Sequence, residues 1–374
     1  MSNEDRELLK TREEVLAKRD TTHQLGNTHI VGLNLDGLDL NHFNIGGALF
    51  ESVSFRGTQL NHIRGTQAQV IGCDFDGAEL IHSNWHLAEV TGCTFRQATL
   101  SGCEMTRTKM TRCDFLAAVM QGALIGGSIF DECRFEGTNL FQTQAEEVFL
   151  ENCVFDKTFF DEAVFAGAQW RGGSGKEAVF RAADFSGASM TNVDLSGANL
   201  DTADFSNAVW RGVRTVGASA VDASLTEVLF IGCDLSKSQL IRTDLTSTAL
   251  GTDDDGKVSF TAEGANLFEA RLTDANLRGA VLRGVNLSLA DLTGANLEGA
   301  TFEGSQIVRA VFDDSCVKRA RFNGALLDRV SFVDTDCTAT RFGNAVLQGV
   351  DLSSAILEHA ELTDVKVIEL PPEE

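Results

Sequence analysis

The sequence has no Tyr, and both of its Pro residues, Pro371 and Pro372, lie among the last four of its 374 residues. Proline lacks a backbone N–H and interrupts strand pairing, so its absence elsewhere predicts a backbone whose N–H groups are engaged throughout. The chain has 25 Phe. Phe without Tyr indicates aromatic sites that offer a hydroxyl group neither water nor a partner.

Basic residues are scarce relative to acidic ones. Lys and Arg number 31 against 54 Asp and Glu, a formal charge of −23, and this excess excludes direct nucleic-acid binding. Hydrophobic residues make up 43%, which excludes a disordered chain. No apolar run is long enough to span a membrane, and the first residues carry no secretory signal. The nine Cys show no CxxC spacing, so we expect reduced thiols and a cytoplasmic protein with no membrane contact.

An apolar residue recurs every five residues from Ile30 to Leu250, with a small residue two positions before most of them. The register slips by two residues across 251–264 and then continues from Leu267 to Val367. These two kinds of position number 132, and none of them holds Asp, Glu, Lys, Arg or His. Both are therefore predicted to point into a core.

A period of five fits neither an amphipathic helix nor a half-buried strand. A chain that returns an apolar residue inward every five residues must turn a corner as often, and four corners close a coil of about 20 residues whose neighbours pair about 4.8 Å apart. Columns of identical residues at intervals of 20 agree with this prediction. They are Cys73, Cys93, Cys113, Cys133 and Cys153, and Phe55, Phe75, Phe95, Phe115, Phe135 and Phe155.

Short motifs inside the repeats resemble the pentapeptide repeat family, whose signature is A(D/N)LXX. Ala-Asn-Leu occurs at 198–200, 265–267, 275–277 and 295–297, and Ala-Asp-Leu occurs at 290–292. The resemblance covers residues 28–368. It implies an all-β fold, a right-handed quadrilateral β-helix or solenoid of about 16 coils with about 20 residues per coil.

Segments outside the repeat set the predicted boundaries. Residues 1–27 are an N-terminal cap, with a turn at Leu8 and Leu9 and a helix over 12–20 that begins at a capping box of Thr11 and Glu14 and covers the first coil. Gly-rich residues 171–177 are predicted to form a loop without a change of phase. The remaining segments are a β-helix segment over 28–250, an acidic insertion loop over 251–264, a second β-helix segment over 265–368 and a tail over 369–374.

Outward positions beside the core residues are mostly Asp, Asn, Ser or Thr, but between 119 and 179 many are apolar. An exposed apolar belt of this kind is typical of a partner site. Packing beneath a loop at 171–177 is the alternative, and the sequence leaves both open. The candidate partner-binding residues are Ile129, Phe141, Phe149, Val154 and Phe159.

Two loops carry motifs with ligand chemistry. Residues 172–176 lack the leading Gly, and the Ser or Thr after Lys, that a phosphate loop needs. The candidate acidic loop of Asp253, Asp254 and Asp255 lacks calcium ligands at 251 and 262, which are Gly and Ala. We interpret both as solvated loops.

Two columns at intervals of 20 have structural interpretations. The Cys column is predicted to hold buried, inert thiols. His42, His62 and His82 are predicted to stack on one outer face as a polar ladder, with a metal or pH-sensitive patch as the alternative. No catalytic residue, metal ligand or cofactor is predicted.

A filled core without a catalytic constellation favours a protein that is not an enzyme. We expect a rigid scaffold that binds another protein. Residues 11–17, TREEVLA, resemble the lead-in of pentapeptide repeat proteins that serve bacterial type VI secretion, which implies a secretion-system accessory or adaptor. The alternative is an acidic DNA mimic, since some relatives of this fold protect or inhibit type II topoisomerases such as gyrase. A homodimer through the last coil is left open.

Overall fold

A backbone that pairs with itself once per coil builds the fold, which a computed structural model describes for residues 6–253, 257 and 259–369. Parallel bridges such as Asn34↔Ser54 and Ser54↔Asp74 join residues one coil apart, and bridged positions recur every five residues. Each coil therefore has four sides. The chain is an all-β parallel solenoid of about 18 turns, which confirms the fold class expected from the sequence.

The first of two compact units is Met1–Asp184. Each of its strands pairs in parallel with the next, and from β2 onward the strands lie on one side of every coil, the strand side. Its elements are β1 (Glu7–Leu9), α1 (Arg12–Thr21), β2 (Thr28–Val31), β3 (Leu49–Glu51), β4 (Gln69–Ile71), β5 (Glu89–Thr91), β6 (Lys109–Thr111), β7 (Ile129–Asp131), β8 (Phe149–Glu151) and β9 (Gln169–Arg171).

The N-terminal helix begins as the sequence predicts. The Thr11 hydroxyl accepts the Glu14 N–H, and the Glu14 carboxylate accepts the Thr11 N–H, both at 3.2 Å, so the capping box is confirmed. The turn expected at Leu8 and Leu9 is wrong, because these residues belong to β1, which pairs with β2. This extra pairing adds one strand to the strand side before the first repeat.

The core of the first unit confirms the predicted inward positions. The Phe55–Phe155 column stacks with ring centroids 4.6 to 4.9 Å apart. Several buried hydroxyls at the small inward positions of this unit donate to a carbonyl of the preceding coil, as Thr58 does to Leu35 at 2.9 Å. At those positions the carbonyl explains how Ser or Thr replaces Ala without leaving a buried polar group unpaired.

The loop expected at 171–177 is wrong. Ser174 bridges Val154, and the Phe155 N–H donates to the Ser174 carbonyl at 2.6 Å, so the segment stays in the coil register. A Cβ on Gly173 would clash with the Cys153 carbonyl oxygen, and the φ of Gly173 is +80°. Glycine is therefore required because the backbone crosses the neighbouring coil closely, and not because the chain loops out.

The second compact unit is Phe185–Glu374. Bridge partners keep the regular one-coil spacing up to Ser224↔Asp244, are more widely spaced at Gln239↔Asn266, and return to the regular spacing from Thr261↔Val281. The wider spacing exceeds the length of one coil by one five-residue repeat and two further residues. A whole repeat keeps the register, so the two further residues account for the slip. Its strands are β10 (Ser189–Thr191), β11 (Val209–Arg211), β12 (Leu229–Ile231), β13 (Cys233–Asp234), β14 (Ala249–Leu250), β15 (Phe260–Thr261), β16 (Gln306–Val308), β17 (Leu326–Asp328), β18 (Val346–Gln348) and β19 (Lys366–Ile368).

Candidate functional site

The outward aromatic side chains are few and concentrated in the first unit. Inward positions hold 21 of the 25 Phe, and the outward four are Phe141, Phe149, Phe159 and Phe268. Phe149 and Phe159 are 43% and 48% exposed, whereas Phe141 and Phe268 are half-buried. The two most exposed phenyl rings therefore both belong to the predicted apolar belt.

Two belt residues lie together on the strand side. Ile129 and Phe149 are register partners on β7 and β8, and each is 43% exposed. Lys109 precedes them and Gln169 follows them in the same column. Adjacent outward side chains in such a column contact each other, so Ile129 and Phe149 form a small apolar pair between two polar residues.

Two other belt residues share a depression on a different side. Phe141 and Phe159 both line it, because they flank the same inward column on neighbouring coils. Its lining also includes Asp161, to which the Arg181 guanidinium donates a hydrogen bond at 2.7 Å, and Glu162. We call this depression the Phe141–Phe159 surface. It combines two phenyl rings with charged side chains.

Val154 joins neither pair. It lies on the side between them, half-buried, with Arg134 and Ser174 as its bridge partners. Phe149 and Phe159 are separated by half of a four-sided coil, so they lie on opposite sides. The predicted belt is thus two separate apolar surfaces. Residues 171–177 form no loop, so the expected loop covers neither surface.

The acidic loop is described only in part. Asp253 accepts the Lys257 N–H at 2.8 Å through its carboxylate, whereas Asp254 and Asp255 lie outside the described residues. Within the described ranges, no group of three or more His, Cys, Asp or Glu side chains is placed to hold a metal ion.

The His column stacks as predicted. The rings of His42 and His62 lie 5.0 Å apart and those of His62 and His82 lie 5.5 Å apart, nearly parallel in the first pair. All three residues are exposed and have positive φ at a coil corner. The column is therefore a stacked ladder of exposed polar rings on the surface.

The Cys column is buried, which confirms the prediction. Its thiols donate to inward carbonyls, as Cys153 does to Phe130 at 3.3 Å. Within the column, the hydrogen bond with Cys93 lowers the pKa of the Cys73 thiol, whereas hydrogen bonding and burial raise those of Cys93 and Cys113. Outside these five Cys, burial raises the pKa of the Cys103 thiol to about 12 and that of Cys233 to about 11. Thiols of such high pKa are not nucleophiles at neutral pH.

Ion pairs between neighbouring coils were missed by the sequence reasoning. Arg242 holds Asp222 at 2.6 Å and lowers the pKa of that carboxyl group. The sequence signal for these pairs is a residue of each charge sign, separated along the chain either by the length of one coil or by two residues less than that length. Others are Arg56–Asp74, Arg96–Asp114, Arg181–Asp161, Arg283–Glu303, Lys318–Asp336 and Arg341–Glu361.

A family model described as pentapeptide repeats matches eight copies, which together span more than half of the sequence. The chain belongs to the pentapeptide repeat family. Proteins of this family generally have a structural, non-catalytic fold. The matched residues are 73–115, 88–125, 159–197, 176–212, 216–250, 265–304, 290–329 and 331–366.

Solved pentapeptide repeat proteins are similar at low identity. HetL from Nostoc sp. strain PCC 7120, involved in regulating heterocyst differentiation, is 22% identical over 70% of this chain and 89% of its own, with a TM-score of 0.19. Full-length QnrB1, a plasmid-mediated fluoroquinolone resistance protein, is 18% identical over 72% and 91%, with a TM-score of 0.17. These values say nothing of function. The sequence matches none of the curated proteins. No described helix is long and apolar enough to cross a membrane.

Proposed function

We propose that this pentapeptide repeat protein is a non-enzymatic scaffold that binds another protein through the Phe141–Phe159 surface. The observation that carries the proposal is the 48% exposure of Phe159 in a chain that turns nearly all other phenyl rings inward. Exposed aromatic side chains are the usual anchors of protein interfaces. Two phenyl rings beside Asp161, Glu162 and Arg181 combine the apolar and polar groups that such interfaces contain.

The pair of Ile129 and Phe149 is a second contact surface in this proposal. Because it lies on the opposite side of the coil, one flat partner cannot cover both surfaces. We propose that the Phe141–Phe159 surface is the main binding surface, since its two rings lie beside charged groups that fix the orientation of a partner. Val154, on the side between, and the acidic loop of Asp253, Asp254 and Asp255 are proposed to contribute less.

The TREEVLA lead-in supports a bacterial secretion-system accessory as the specific role. Affinity capture from a bacterial lysate, followed by cross-linking at residues near Phe159, tests whether a partner binds this surface, and the identity of the captured protein tests the secretion-system role. We expect one enriched partner with wild type and with the control Phe268→Ser, and its loss with the double variant Phe141→Ser/Phe159→Ser. Outward substitutions leave the core intact, so all variants should retain the same Tm. Retention of the partner by the double variant would contradict the proposal.

A DNA mimic of gyrase is the second candidate, favoured by the net charge of −23. Mimicry needs a continuous acidic face, whereas several carboxylates here are paired with Arg or Lys of a neighbouring coil, as Asp114 is with Arg96 at 2.8 Å. The mixed surface favours a scaffold. A gyrase supercoiling assay decides between them, because inhibition or protection by the purified protein would support mimicry, and we expect neither.

A further inference from the structure

The last coil, residues 351–369, exposes side chains whose equivalents in the preceding coil are buried. Phe342 and Leu347 of the preceding coil are 0% and 5% exposed. Their equivalents in the last coil, Leu362 and Val367, are 47% and 70% exposed. Inward residues of a solenoid that meet water form an apolar surface able to bind another molecule.

Backbone N–H groups are also unpaired at this face. The Phe342 N–H donates to the Glu361 carbonyl at 2.8 Å, one coil further along. The N–H groups of Leu357 and Leu362 occupy equivalent positions in the last coil, and they have no acceptor within the part of the chain that the structure describes. The face is therefore both apolar and able to pair with a further β-strand.

The rim of the last coil is acidic. Residues 351–369 contain five Asp or Glu and one Lys, Lys366. Glu358 and Asp364 are exposed at corners of the coil, and Glu361 faces Arg341 of the preceding coil at 3.4 Å. An apolar centre with a negative rim is complementary to an apolar strand flanked by Lys or Arg.

We propose that the last coil is a further protein-binding surface, which takes the basic, apolar β-edge of a partner as an added strand. The strand lies along the side of the coil that holds Leu362, where one of its carbonyls accepts the free Leu362 N–H and its inward apolar side chain covers Leu362 and Val367. Its Lys or Arg side chains meet the acidic rim. This surface is independent of the Phe141–Phe159 surface.

Charge disfavours the other occupants. A second copy stacked end to end about a two-fold axis would bring two acidic rims together, which repel each other. Residues 370–374 include Glu373 and Glu374, whose negative charges have the same sign as the rim. A partner of opposite rim charge meets neither obstacle.

The test uses the full chain and two labelled peptides, one alternating Val with Lys and one alternating Val with Glu, in fluorescence anisotropy. We expect the Val–Lys peptide to bind at least about tenfold more tightly than the Val–Glu peptide. The double variant Leu362→Ser/Val367→Ser keeps every charge and should lose this binding. The control Val209→Ser, an outward substitution on β11, should retain it. Equal binding by the double variant would mean non-specific charge attraction and overturn the proposal.

Hydrogen exchange gives the decisive second readout. On binding the Val–Lys peptide, the amide of Leu362 should exchange at least about tenfold more slowly, while amides near Phe159 should not change. No change at Leu362 would exclude strand addition. A dimer in light scattering that Leu362→Ser/Val367→Ser dissolves would assign the coil to a second copy. Peptide binding that tightens about tenfold in a variant lacking 370–374 would assign it to the tail. Either result overturns the proposal, and neither bears on capture through Phe159.

Discussion

The N-terminal end of the repeat and its last coil are finished differently. At the N-terminal end, α1 and β1 cover the core, so that Val15 and Leu25 are almost completely buried. In the last coil the inward residues Leu362 and Val367 remain exposed. The inward pattern is the same at both ends, so the difference depends on what precedes or covers the repeat and not on the repeat itself.

Specific contacts hold the covered end in place. Arg12 on α1 donates to the carbonyls of Asn34 and Asp36 at 3.1 and 3.2 Å, and Lys18 pairs with Glu7 of β1 at 2.7 Å. The helix thus covers the first coil through one buried side chain and a few polar contacts. Because these contacts are few, a small number of substitutions should detach the helix from the first coil.

The largest expected effect is at Val15. Val15→Asp places a carboxylate in a fully buried site, and we expect the free energy of unfolding of the N-terminal end to fall by about 3 kcal/mol or more. Hydrogen exchange at the Leu25 amide, which donates to the Asn44 carbonyl, measures that opening. The matched substitution Val367→Asp, at a 70% exposed site, should change stability by less than about 1 kcal/mol. Equal losses would show that the last coil is also covered.

The second expected effect compares valines at equivalent inward positions. Val70 is fully buried on β4, so Val70→Ala should lower the free energy of unfolding by about 2 kcal/mol through lost burial and a residual cavity. Val367→Ala should cost less than about 0.5 kcal/mol, because its methyl groups already meet water. Urea denaturation followed by circular dichroism measures both. A loss for Val367→Ala as large as that for Val70→Ala would place another molecule over the last coil.

Most of the fold could be predicted because the repeat is a physical constraint and not a statistical tendency. Two uncharged inward positions in every five residues leave no ordinary helix or strand that fits, and the columns at intervals of 20 set the coil length. The helix at Arg12–Thr21 was predictable for a different reason, since Thr11 and Glu14 form a capping box readable from their spacing.

The candidate site was predictable in its residues but not in its grouping. Phe141 and Phe159 line one depression although they are not one full coil apart in sequence. Phe141 follows an inward residue and Phe159 precedes the equivalent inward residue of the next coil. Gly173 resembles a loop in sequence because nothing there reveals the close approach of the Cys153 carbonyl. The exposed last coil was not predictable, since its inward residues continue the pattern unchanged to Val367.

A third, smaller effect concerns the cap of α1. Thr11→Ala removes the acceptor of the Glu14 N–H and should destabilise the N-terminal end by about 1 kcal/mol. Glu14→Gln retains a capping partner and should cost less. The control Thr363→Ala, at an exposed corner of the last coil, should have no effect. Exchange rates of amides in the first coil separate these variants, and an unchanged rate for Thr11→Ala would mean that tertiary contacts alone hold the helix.

The smallest effect is a pH dependence at Asp36, beside the covered end. Burial raises the pKa of Asp36, but hydrogen bonds from the Ser54 hydroxyl and the Arg56 N–H outweigh it, so the pKa lies below its ordinary value. A carboxyl group with a lowered folded pKa stabilises the fold above its unfolded pKa of about 3.9, and this contribution is lost as pH falls through the folded pKa. Asp36→Asn should therefore be less stable than wild type at pH 7, by under about 1 kcal/mol because the group is only half-buried and solvent screens its charge.

That deficit should shrink as the pH falls below about 4, because wild type then loses the same contribution. Asp351 of the last coil provides the comparison, since the Ser353 N–H lowers the pKa of its carboxyl group as well. Its hydrogen bond closes a local turn and holds no neighbouring coil, whereas Asp36 reaches Ser54 and Arg56 of the next coil. Asp351→Asn should therefore leave hydrogen exchange of the backbone amides in the preceding coil unchanged at every pH. A pH-dependent change in that exchange would show that Asp351 stabilises the pairing of the last coil as Asp36 does near the first.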